Sequence, residues 1–125
     1  MTRRLSPNQH EAAVLRAIFH HVGSQPDYRL WRMNTGSAVN LASGRRVQFG
    51  MPGQADLTGI RRTTCPYCGA PGPGQRVEIE TKSAPGTLKE HQATYGNVIR
   101  QFGGIYIVPR SLSEACELLG LPVPR

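Results

Sequence analysis

Two carboxylates and a lysine stand at alternate positions in VEIETKS, residues 77–83. In an extended strand neighbouring side chains point to opposite faces. Glu78, Glu80 and Lys82 therefore share one face, with Arg76 extending it by a position, and Val77, Ile79 and Thr81 share the other. Alternation alone also fits a half-buried strand with a solvated, salt-bridged face. Other polar residues argue against that simple picture. Glu11 lies four residues before Leu15 and seven before Ile18, on the apolar face of a helix. As a helix-start acid it is also favoured by the dipole. Gln92 fills the gap in a second apolar helix stripe, and Asp56 begins a strand after GMPGQA, whose glycines allow close backbone approach. Polar groups aimed inward are costly unless they meet one another or a cation. A buried polar convergence is expected.

A second group of reactive residues lies in TCPYCGAPGPG, residues 64–74. CPxCG is half of a zinc knuckle, so Cys65 and Cys68 are candidate zinc ligands, and Zn2+ takes four. Cys116, His20, His21 and His91 are possible further ligands, or two chains could pair their knuckles. The other readings are a reduced loop and a redox-active CxxC pair.

The elements that must position these residues are legible from caps and periodicity. Ser6, Pro7 and Gln9 form a helix start, Leu15, Ile18, Phe19 and Val22 its apolar face, and Gly23 its end. Strand-like pieces follow at 28–33, 45–50, 55–60 and 77–82. A second helix is expected from about Thr87, with Thr87 and Glu90 as its capping box and Leu88, Tyr95, Ile99 and Phe102 as its stripe. Gly103-Gly104 stops it. A buried strand at 105–108 and a short helix from Ser111 to about Leu119 complete the order α-β-β-β-β-α-β-α. That is one α/β (α+β) domain over 1–125, a central mixed sheet flanked by helices, with the CPYC loop inserted at about 63–75.

The chain has 15 basic and 8 acidic residues, a net charge of +7, and only two lysines, Lys82 and Lys89. Arginine pairs at 3–4, 45–46 and 61–62 are spread along the chain, as suits a folded surface that meets phosphates. No apolar run approaches a membrane span, and no apolar segment follows the N-terminal arginines as in a secretory signal. Three cysteines argue against a disulfide framework and for a reducing, cytosolic compartment.

GMPGQADLTGI (50–60) and VEIETKSAPGTLKEHQATYGNVIRQFGGIYIV (77–108) resemble the virus-type replication-repair nuclease domain, VRR-NUC, a branch of the PD-(D/E)XK nucleases. The resemblance rests on Asp56, Glu80-Thr81-Lys82, Gln92, Gly103-Gly104 and the helix glutamate Glu11, with WRMNTG (31–36) similar to the segment before the second strand. It covers nearly the whole chain; the CPYC loop is its departure. The resemblance implies Mg2+ or Mn2+ held by Asp56, Glu80 and the Thr81 carbonyl, with Glu11 bound directly or through water. Lys82 would orient the attacking water or stabilise the developing anion, and Gln92 would hold the site from its helix. Arg32, Asn34, Arg45, Arg46, Arg61 and Arg62 would contact nucleic acid. Glu78 lies outside the motif and is read as a partner for Arg76 or a neighbouring arginine.

The expected function is a metal-dependent DNA endonuclease, structure-selective on branched DNA such as four-way junctions. It would act as a homodimer in a bacterial or phage-infected cytosol. The rivals are a non-catalytic nucleic-acid-binding zinc-knuckle module and a restriction-type, site-specific nuclease.

Overall fold

Ser6 starts the first helix through a reciprocal cap. Its hydroxyl accepts the Gln9 N–H at 3.3 Å, and the Gln9 amide oxygen accepts the Ser6 N–H at 2.9 Å. The structure, a computed structural model, describes residues 3–34, 36–83 and 86–125. Its elements are α1 (Pro7–Gly23), β1 (Tyr28–Arg32), β2 (Gly36–Val39), β3 (Arg46–Phe49), β4 (Leu57–Arg61), β5 (Gln75–Ile79), α2 (Glu90–Gln101), β6 (Ile105–Ile107) and α3 (Leu112–Leu119).

Strands β1, β4, β5 and β6 form a mixed sheet in that order. The first two pairings are antiparallel and β5–β6 is parallel, so α2 is the crossover between them. β2 and β3 form a separate antiparallel hairpin. The fold is thus α and β with a mixed sheet and three helices, as expected.

Several boundaries differ from the sequence expectation. The order gains a strand, because GSAV (36–39) is too short and too weakly alternating to declare itself, yet pairs with 46–49. Thr35, within the WRMNTG segment, lies outside the described residues. The second helix begins at Glu90, not Thr87: Lys89 is its N-cap residue, and Gln92 accepts the Lys89 N–H at 2.9 Å. Leu88 therefore precedes the helix. Phe102 follows its last turn and is 87% exposed, so it is no part of the buried stripe. Phe19 likewise sits at the rim of the α1 face, with Val14, Ile18 and Val22 buried instead. α3 matches its expected cap, with Ser111 accepting the Glu114 N–H at 3.1 Å.

The two faces of the sheet differ in character. Val14, Ile18 and Val22 of α1 share an apolar core with Leu57, Val77, Ile79 and Ile107, and with Ala115 and Leu119 of α3. Each of the valine, leucine and isoleucine side chains contributes about 1.5–3 kcal/mol on burial. α2 covers the opposite, polar face. There Thr58, Glu78 and Tyr106 lie in register across β4, β5 and β6. Gly96 lets α2 approach: a Cβ at that position would stand 2.4 Å from the Tyr106 ring. Tyr106 packs edge-on to Tyr95, with ring centroids 6.3 Å apart, and Arg100 stacks over it at 5.3 Å. Among the described residues no helix is long and apolar enough to cross a membrane.

Candidate active site

Asp56 immediately precedes β4 and Glu80 immediately follows β5. Because Leu57 pairs with Ile79, these acids stand side by side at one end of the sheet. β5 ends at Ile79, short of the expected Lys82, yet the backbone beyond it stays tied to the last strand. Glu80 donates its N–H to the Ile107 carbonyl at 3.0 Å and Lys82 to the Pro109 carbonyl at 3.2 Å. Pro109 has no N–H to return, so the regular ladder cannot continue. The carboxylate and the lysine are therefore placed by backbone, not by a free loop.

Three side chains, those of Gln92, Lys82 and Thr81, close around Glu80 and Asp56. Gln92 donates its amide to Glu80 Oε1 at 2.7 Å, and Lys82 Nζ lies 3.3 Å from the same oxygen. Asp56 Oδ2 accepts both the Thr81 N–H and the Thr81 hydroxyl, each at 2.9 Å. Gly53 fits the approach to Asp56 against α2: its φ is +82°, and a Cβ there would meet the His91 carbonyl at 2.3 Å. Glu80 is 3% exposed, and its Oε2 is buried with no hydrogen-bond partner. Burial, then the Asp56 charge, pushes the Glu80 carboxyl up to about 7, against the opposing pull of Lys82. Tyr106 is pushed up to about 12, chiefly by burial and then by Glu80.

Glu11 approaches from α1. It accepts the Ser83 N–H on Oε2 at 3.1 Å, and with Asp56, Thr81 and Leu15 it lines a cleft of about 250 Å³. Among the described residues no group of three or more His, Cys, Asp or Glu is gathered closely enough to hold a metal ion. The carboxylates that meet are Asp56 and Glu80. A larger cleft, about 740 Å³, runs along α2 past Met51, Tyr95 and Val98, but neither of those acids lines it.

Glu78 belongs to a neighbouring network. It is fully buried, and its Oε1 accepts from Arg76 Nε at 2.7 Å, Thr58 Oγ1 at 2.7 Å and the Tyr95 hydroxyl at 3.0 Å. The pairing with Arg76 is the one read from the sequence; its depth is not.

The arginine candidates separate into three places. Arg32 pairs across from Leu57, so it and Asn34 lie toward the Asp56 end of the sheet. Arg45 and Arg46 are exposed on the β2–β3 hairpin, where Arg46 donates to Ser37 Oγ at 3.0 Å. Arg61 lies against Tyr28 at the far end of β4, about 17 Å of strand away from Asp56, and Arg62 follows it.

The Cys65–Cys68 loop also sits at that far end. The Cys68 N–H, then the Tyr67 N–H and the Cys68 thiol, lower the Cys65 pKa. Cys116 is on the buried face of α3, where burial pushes its thiol up. Neither Cys116 nor His20, His21 or His91 completes a three-ligand group with the loop.

Three contributors escaped the sequence reading. The Thr81 side chain, the Ser83 amide and Arg110 all act locally at the site. Arg110 donates to the Ser83 carbonyl at 2.5 Å and the Gly86 carbonyl at 2.6 Å, fixing the chain as it leaves Lys82. Arg110 follows the buried strand without any motif, so only the parallel β5–β6 pairing reveals it. No protein-family model matches the chain, and no curated protein matches it.

Proposed function

We propose that this chain is a divalent-metal-dependent DNA endonuclease with a PD-(D/E)XK core. The observation that carries the reading is the meeting of Asp56 and Glu80 at adjacent strand ends, with Lys82 and Gln92 both on Glu80 Oε1. A helix before the sheet, three antiparallel strands and a helix crossover to a parallel fourth are compatible with that core.

The residues fit a hard cation. Glu80 has a buried oxygen with no partner, and its charge is disfavoured beside Asp56. Asp56, Glu80 and the Thr81 carbonyl would hold Mg2+ or Mn2+, which accepts few protein ligands and keeps its waters. Glu11, on the other side of Asp56, would act through water. The bound ion supplies Lewis acidity, lowering the pKa of a coordinated water and offsetting phosphate charge.

The chain's own groups do the rest. Lys82, anchored by Glu80, presents its ammonium donors to the attacking water and the developing anion. Gln92 fixes the Glu80 carboxylate. Water oxygen bonds to phosphorus in line, the bond to the 3′ oxygen breaks, and a proton passes to that oxygen. The products are a 5′-phosphate and a 3′-hydroxyl. Arg32 and Asn34 would hold the strand near the site, with Arg45, Arg46, Arg61 and Arg62 on flanking DNA. Branched DNA such as a four-way junction, cut by a homodimer in a bacterial or phage-infected cytosol, is the substrate and setting proposed.

The second reading is a nucleic-acid-binding knuckle module, favoured by the ordered CPYC loop beside Arg61 and Arg62. Incubating junction and linear duplex DNA with Mg2+, Mn2+ or chelator separates the two. Metal-dependent cuts are expected; binding without cleavage in either metal supports the module. Cutting of one linear sequence in preference to junctions would favour a restriction-type enzyme.

A further inference from the structure

The Cys65–Cys68 loop is unused by the cleavage chemistry. It joins β4 to β5 at the end of the hairpin opposite Asp56 and Glu80. Its legs are pinned: Thr63 Oγ1 donates to the Pro73 carbonyl at 2.5 Å, Gly72 N–H to the Thr63 carbonyl at 2.8 Å, and Thr64 bridges Pro71. Inside them, Cys65 N–H donates to the Ala70 carbonyl at 2.8 Å and Gly69 N–H to the Cys65 carbonyl at 2.9 Å. Gly69 turns the chain at φ +72°.

Two thiolates fill half of a tetrahedral zinc site. The other half is not nearby: Cys116 is buried in the core, and no three-ligand group forms among the described residues. The loop is open to a second molecule, with Tyr67 96% exposed and Cys68 on the surface. An identical loop would supply two more thiolates, and a twofold axis through one ion would close the set of four. We propose that Cys65 and Cys68 from two copies of this chain bind one Zn2+ ion, linking the chains as a dimer. Loading releases the thiol protons as the sulfurs bind. The site is independent of whether the chain cuts DNA.

The test uses the full chain, expressed with zinc and purified under reducing conditions without chelator. Metal quantification and light scattering should give one zinc per two chains and twice the 13.7 kDa chain mass. The double variant Cys65→Ser, Cys68→Ser should lose both zinc and dimer, and Cys116→Ser should keep both. Chelator added to the unaltered chain should split the dimer, a result that does not depend on the double variant folding. A zinc-free protein of either mass, one zinc per monomer, or a Cys65–Cys68 disulfide in the fresh preparation would overturn the proposal.

Discussion

Gln92 joins the second helix to Glu80. Its amide nitrogen donates to Glu80 Oε1 at 2.7 Å, and its amide oxygen accepts the Lys89 N–H at 2.9 Å. One side chain thus satisfies a helix-end donor and orients a carboxylate. Gln92→Ala should destabilise the fold by about 1–2 kcal/mol in urea titrations and reduce cleavage. Gln92→Glu keeps an acceptor for Lys89 but sets a second carboxylate against Glu80, so it should impair metal binding more than stability. Equal behaviour of the two variants would mean that Gln92 serves only the helix.

The raised Glu80 pKa makes stability depend on pH in a definite direction. The folded carboxyl titrates at about 7 against an ordinary value of 4.5, so between these limits the folded state holds more protons than the unfolded state. Stability from this group therefore falls as pH rises from 4.5 to 7. Glu80→Gln should melt higher than wild type at pH 8 without metal, with the difference shrinking toward pH 4.5. Mg2+ or Mn2+ should raise the melting temperature of wild type, and much less that of the variant. Melts in chelator and in metal across this pH range check both. An equally large metal response in the variant would remove Glu80 from the metal site.

Much of this arrangement was legible in sequence because polar residues broke apolar periodicity. Glu11 and Gln92 each broke the apolar stripe of their own helix, and that turned the ordinary 78-80-82 alternation into an expected inward-facing polar cluster. The α1 and α3 caps were legible for the same local reason. Tertiary contacts hid the rest. The start of α2 moved to Glu90 because Gln92, not Glu90, accepts from the cap residue. β2 exists through pairing with β3 and has little signal of its own. Arg110 reaches the site only because β6 runs parallel beside β5.

Glu78 and Glu80 share a strand face but not a role. Glu78 Oε1 is occupied by Arg76, Thr58 and Tyr95. Tyr95→Phe removes one donor to a fully buried carboxylate and should cost about 1–3 kcal/mol, with cleavage retained under conditions where the variant is folded. Glu78→Gln should impair cleavage less than Glu80→Gln. Equal loss, measured with folded protein, would place Glu78 at the metal.

Arg45 and Arg46 test the reach of the DNA surface. Both are exposed on the β2–β3 hairpin, which is separate from the four-stranded sheet. If they meet phosphates, replacing both by alanine should flatten the slope of log affinity against log salt by about 1–2. Fluorescence anisotropy over a salt series gives the slope. An unchanged slope would take the hairpin out of the interface.

The most direct measurement is cleavage of plasmid and four-way-junction DNA by wild type, Asp56→Ala and Lys82→Ala, in Mg2+, Mn2+ and chelator. Wild type should cut only with metal. Both variants should bind DNA yet cut at a rate lower by on the order of 10²-fold or more. Cleavage that survives chelation, or either variant cutting near the wild-type rate in matched metal, would contradict a nuclease centre at Asp56, Glu80 and Lys82.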